Sequence, residues 1–177
     1  MTHVSRRLAL VAGVSALAGC GIVGTSKTSG VTTITINTAS VATWAQAFRN
    51  AANLISTLPG IVGTPTSLAI GAISTLVAAD AAAFATASGG KLSLTFDGTS
   101  VPASLSSLLA DGQKLLAATQ AALGSVASTA TTQAQMYVNA LATIVSIFEA
   151  AMGAAPVGAA PGRMDETAAL GTLGVRK

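Results

Sequence analysis

The chain has 177 residues, of which 51% are hydrophobic, only 8% charged and 3% aromatic, with a formal net charge of +3. An ordinary soluble domain carries roughly 25% charged residues; here Ala, Ser, Thr and Gly fill those positions, as in a small-residue helical domain with a bland surface or a chain that touches lipid. The excess of bases lies towards the ends: residues 39–152 hold Arg49, Lys91 and Lys114 against Asp80, Asp97, Asp111 and Glu149, a net of −1, so no basic face tracks phosphates and a nucleic-acid partner is excluded.

Residues 1–20 read MTHVSRRLALVAGVSALAGC. Arg6 and Arg7 precede an uncharged run over 8–18, and small residues follow. That order is the n-region, h-region and cleavage region of a secretory signal. The run of 11 residues is too short to span ~30 Å of hydrocarbon as a helix rising 1.5 Å per residue. LAGC at Leu17–Cys20, directly after the run, resembles the lipobox of bacterial lipoproteins and uses the only cysteine. The resemblance covers about the first 20 residues and implies a signal peptide over 1–19, cleavage between Gly19 and Cys20, and lipidation of Cys20 with acyl chains of the palmitate type. Two or three acyl chains anchor stably where one is marginal. By the Gram-negative sorting rule, Gly21 in place of Asp points to the outer membrane, facing the periplasm. SRRLAL (residues 5–10) partly resembles a twin-arginine export motif, but Ala9 stands where an aromatic is typical, and general secretion is the plainer reading.

Cleavage at Cys20 discards His3, the only histidine, and lipidation blocks the only thiol. The mature chain then lacks the groups for Ser–His or Cys–His catalysis and for zinc sites built on His or Cys. Of six acids, Asp165 and Glu166 fall in the tail and the other four are spread singly, so a glycosidase-type carboxylate pair is a remote prospect. SGG at 88–90 lacks the Gly-Lys-Ser/Thr of a phosphate cradle and reads as a turn. No catalytic, cofactor or metal residue is assigned.

Residues 20–30 are small, polar and aperiodic, a flexible lipidated tether. VTTITIN (Val31–Asn37) alternates as a β-strand, and a matching strand lies near 91–97, with Leu92, Leu94 and Phe96 on one face. Four helical stripes occupy the rest of a domain over 31–152. Over 39–58 the stripe is Val41, Trp44, Phe48, Ala51, Ile55 and Leu58, stopped by PGIVGTP (59–65). Over 66–86 it is Ile70, Ile73, Leu76, Val77 and Phe84. Over 103–126, entered after Pro102, it is Leu105, Leu108, Leu109, Leu115, Leu116, Ala122 and Leu123. Over 131–152 it is Gln133, Tyr137, Leu141, Ile144, Val145, Phe148 and Met152, after a turn near Ser128. The tail 153–177, opening with GAAPVGAAPG, reads as disordered. Short connections make antiparallel neighbours, so the expectation is a mainly α fold: an antiparallel four-helix bundle of small-residue-rich helices with two short β-strands.

Three features compete with plain packing. Asp80 sits on the second stripe and needs a partner, Arg49 or Lys114, or an edge position reaching solvent. The second helix has one charge in about 20 residues, enough to raise a membrane span, but has no aromatic belt or basic flank. Trp44 and Phe48, one turn apart, suit a core more than a ligand hot spot, and Asp111–Gly112 suits a close helix contact more than a bend. The function expected is a non-enzymatic, membrane-anchored periplasmic lipoprotein of the bacterial cell envelope, a structural or protein-interaction module with an unknown protein partner and membrane lipid held through Cys20. The alternative is a membrane-active protein of toxin, lysis or exclusion type that inserts amphipathic helices.

Overall fold

The computed structural model describes residues 25–28, 31–97, 100–124, 128–153 and 164–175. The expected signal peptide, Cys20 and the lipobox resemblance lie outside the described residues.

The alternation of VTTITIN forms strand β2 (Val31–Asn37), whose Ile34 and Ile36 are buried while Thr33 and Thr35 are half-buried. It pairs antiparallel with β3 (Ser93–Asp97), setting Ile34 opposite Phe96 and Asn37 opposite Ser93. Two corrections arise here. The sheet has a third strand, β1 (Thr25–Thr28), on the other edge of β2, within the stretch expected to be a tether. Backbone pairing along the free edge of β2 needs no apolar alternation, so composition does not reveal it. Leu92 precedes β3 and is 84% exposed rather than sharing a face with Leu94 and Phe96. Its carbonyl is engaged by the Thr38 N–H at 3.2 Å.

Helix α1 (Thr38–Ser56) starts where the Asn37 side chain accepts from the Ala39 N–H at 2.8 Å, a standard N-cap. Its buried face matches the expected stripe, with Leu58 buried just beyond the helix. Helix α2 (Pro65–Ser88) opens with Pro65 in the first turn and the Thr64 hydroxyl as cap, and ends at Gly89, whose φ of 57° takes the left-handed cap that glycine adopts without strain. Of its expected stripe only Ile70, Val77 and Phe84 are buried; Ile73 is half-buried and Leu76 is 50% exposed. Residues seven apart lie in one line along a helix, whereas Leu76 is turned about 100° from Val77. Alanines on both sides of that line let neighbouring helices close in, so a narrow column suffices.

Helix α3 (Ala103–Leu123) follows Pro102 and ends three residues before the expected boundary. Helix α4 (Ser128–Ala151) begins at Ser128. Its stripe is displaced by one residue from expectation at its start. Ala134 and Val138 are buried, while Gln133 is exposed, Tyr137 half-buried, and the Gln133 amide donates to the Tyr137 hydroxyl at 2.8 Å. A fifth helix, α5 (Glu166–Thr172), stands in the tail expected to be disordered. Asp165 caps it by accepting from the Ala168 N–H at 2.7 Å, and Ala169, Leu170 and Leu173 are buried. The Asn50 amide donates to the Leu173 carbonyl at 2.8 Å, fastening α5 to α1.

The described residues are thus mainly helical, with five helices and a small antiparallel sheet among them. α2 packs on α1 and α3, α4 packs on α1, α3 and α5, and the core runs between them. At its centre the Phe148 ring lies 4.8 Å from that of Trp44 and 6.4 Å from that of Phe48. Trp44 and Phe48 are fully buried, so they are core side chains and not a surface hot spot.

Candidate interaction surface

Burying only the column Ile70, Val77 and Phe84 leaves most of α2 turned to solvent. Leu68, Ala72, Thr75, Ala79 and Ala83, three or four residues apart, are all exposed on the side away from that column, with Leu76 beside them. None is charged. Leu68 is 73% exposed, and Val62, in the turn before α2, is 61% exposed. Among the described residues, four of the five large exposed apolar side chains (Val62, Leu68, Leu76 and Leu92) lie on α2 or in the turns at its ends; the fifth is Met136. Apolar side chains gathered on one element, unlike single residues scattered over a surface, suit an interaction site. The low charge of α2 is plain in the sequence, but alanine around the whole helix blurs its apolar stripe and hides which side is free.

The one charge of α2, Asp80, is directed to the side of the helix facing α3. There it meets Asp111, which is buried and accepts from Lys114 Nζ at 2.8 Å. The Lys114 side chain is 63% exposed and closes the cluster towards solvent. Of the expected partners Lys114 pairs with Asp111 instead and Arg49 does not act on Asp80, which is half-buried at the edge of its stripe. Burial, then the charge of Asp111 and hydrogen bonding to it, hold the Asp80 carboxyl above its ordinary value, with Lys114 pulling the other way. The hydrogen bond to Asp111 and that residue's charge raise the Lys114 ammonium. The folded protein therefore binds the Asp80 proton more tightly than the unfolded chain, and the stability this proton lends is lost as pH rises through the raised value. Asp80→Asn is expected to raise the thermal midpoint at pH 7 and to flatten its dependence on pH between acid and neutral solution. A variant less stable than the parent at pH 7 would contradict this account of the cluster.

A second polar tie lies between α3 and α4, where the Gln113 amide donates to the buried Glu149 carboxylate at 2.7 Å. Between α1 and α2 runs an open groove of about 430 Å³, lined mainly by Val41, Ala42, Ala45, Ala81 and Phe84, with Arg49 among its walls. Thr38, Gln46, Arg49 and Ser88 share its lining with a row of alanines, and its open side leaves a ligand little to be enclosed by, so it suits a packing seam more than a ligand site. Among the described residues no three His, Cys, Asp or Glu side chains gather as a metal site. Gly112 is buried on α3 directly beneath the Phe48 ring, the close helix contact foreseen for Asp111–Gly112.

Compared with known protein families, with characterised proteins and with solved structures, the chain matches none.

Proposed function

We propose that this protein is a lipid-anchored protein of the bacterial envelope, held at the membrane through Cys20 and facing the periplasm. Its helical domain is a non-enzymatic structural or protein-interaction module. The observation that carries the structural role at the membrane is the uncharged outward face of α2, with Leu68 and Leu76 exposed on it. The anchor is supported by LAGC following a charged and then apolar leader. The absence of catalysis is supported by a mature chain that, once cut and acylated at Cys20, has neither imidazole nor thiol. We read α1–α4 as an antiparallel four-helix bundle to which α5 is appended, since α1–α2 and α3–α4 have short connections and the helices pack in that order.

A second reading has one observation in its favour. α2, and the stretch Thr132–Ala151 of α4, are long and apolar enough to cross a membrane by length and composition. In this reading the helices open and insert. The α4 stretch is largely core, and insertion of α2 would strip Ile70, Val77 and Phe84 from their neighbours. Cys20→Ala separates the two. The anchored-module reading expects the variant to lose its acyl mass and to leave the membrane on carbonate washing. A Cys20→Ala protein that resists carbonate extraction sinks that reading and favours insertion.

A further inference from the structure

We propose that the outward face of α2 lies along the phospholipid bilayer, with Leu68 and Leu76 set into the boundary between headgroups and acyl chains; this rests on the anchor reading. The argument starts from the leash. Only residues 21–24 separate Cys20 from β1, a reach of about 17 Å at full extension. β1 starts at Thr25 opposite Ile34 and runs to Thr28 opposite Val31, so the chain enters it from the end of the sheet where Asn37 pairs with Ser93. At that same end α2 finishes at Ser88, and the Thr38 hydroxyl and N–H hold the carbonyls of Lys91 and Leu92 at 2.8 and 3.2 Å. An acylated Cys20 therefore keeps the C-terminal end of α2 within a short distance of the bilayer.

Composition selects the face. α2 has 24 residues, a length of about 36 Å, and its outward side carries no charge to desolvate. Asp80 lies one turn after Leu76 but turns toward Asp111 on α3, so with Leu68 and Ala72 lowest the carboxylate stays at the margin of the face. At the anchored end Leu92 and Lys91 are both exposed, an apolar side chain and an ammonium group suited to the headgroup layer. Net charge over residues 39–152 is −1, so apolar burial supplies the attraction and added salt does not release the face.

The test uses the lipidated full-length protein in vesicles of phosphatidylethanolamine and phosphatidylglycerol. Acylation leaves no other thiol, so Ala79→Cys on the outward face of α2 and Asn53→Cys on the exposed side of α1 each take one environment-sensitive fluorophore. The expected result is a blue shift and quenching by nitroxide-labelled lipid at position 79, with quenching by aqueous iodide at position 53. Adding Leu68→Asp and Leu76→Asp, both at exposed positions, abolishes the lipid quenching at 79 while circular dichroism stays unchanged. Iodide quenching at position 79 in an acylated protein overturns the proposal, as does a dye at 79 shielded from both quenchers, which marks a protein contact. Intact mass reports the acyl chains separately. An unmodified Cys20 overturns the anchor reading and this inference with it, whereas an acylated protein with position 79 in water overturns only the assignment of the face.

Discussion

Phe148→Ala is expected to destabilise the protein by about 3–5 kcal/mol, the range for removing a large buried aromatic side chain. The ring is fully buried and touches both other central aromatics, 4.8 Å from Trp44 and 6.4 Å from Phe48. The helix α1 that carries Trp44 and Phe48 otherwise contributes Ala45, Ala47, Ala51 and Ala52 to the core, side chains too short to swing into the vacated space. Trp44 is the single tryptophan of the chain and reports directly on this site. Urea denaturation followed by its fluorescence should show a lowered midpoint and, before unfolding, a red-shifted emission. Phe148→Leu, which keeps most of the volume, should recover much of the loss. An unchanged midpoint in Phe148→Ala would mean that the three rings are not the centre of the core.

Gly112→Ala is expected to destabilise although alanine is the better helix former. In the interior of a helix the exchange favours folding by about 1 kcal/mol. At position 112 the added Cβ would stand 2.6 Å from two ring atoms of Phe48. That ring cannot retreat, because Phe48 is fully buried and stacked against Phe148. Relieving such overpacking costs about 1–3 kcal/mol, so the steric loss outweighs the gain in helix propensity. Pairing with Phe48→Leu is the decisive measurement. In that background the clash is lifted and Gly112→Ala should become neutral or stabilising, a coupling visible in a double-mutant cycle. A Gly112→Ala variant that raises the urea midpoint of the parent would show that α1 and α3 do not approach so closely.

The periodicity of the chain was a good guide wherever one side of a segment differed sharply from the other. In α1, Trp44, Phe48 and Ile55 contrast with Gln46, Arg49 and Asn53, and the buried face came out as expected. In β2, the alternation of Thr and Ile marked both the strand and its inner face. In α2 the contrast is absent. Alanine surrounds the helix, so Leu76 looked as inward as Val77, and packing alone shows that it is half exposed. The start of α4 failed for a related reason: Ala134 is buried and the larger Gln133 is not, since close helix approach favours the smaller side chain. α5 had a readable signal in Asp165, Ala169, Leu170 and Leu173, a capping residue and a short apolar stripe. The glycine- and proline-rich stretch before it breaks the helical pattern and masks that short signal.

By itself the sequence determined what depends on neighbours along the chain. It placed four long helices and two strands, the stop at 59–65, the turn at 88–90, the helix entry after Pro102, and the lipobox resemblance that supports an anchor at Cys20. Tertiary structure alone decided that Asp80 meets an Asp111 already paired with Lys114, that Gly112 lies under Phe48, that β1 and α5 join the fold, and that one side of α2 is left uncovered. Local signals set the backbone because capping and periodicity act within one or two turns. The side of an alanine-rich helix that becomes core is set by the shapes of the helices that close on it, and those lie far away in sequence.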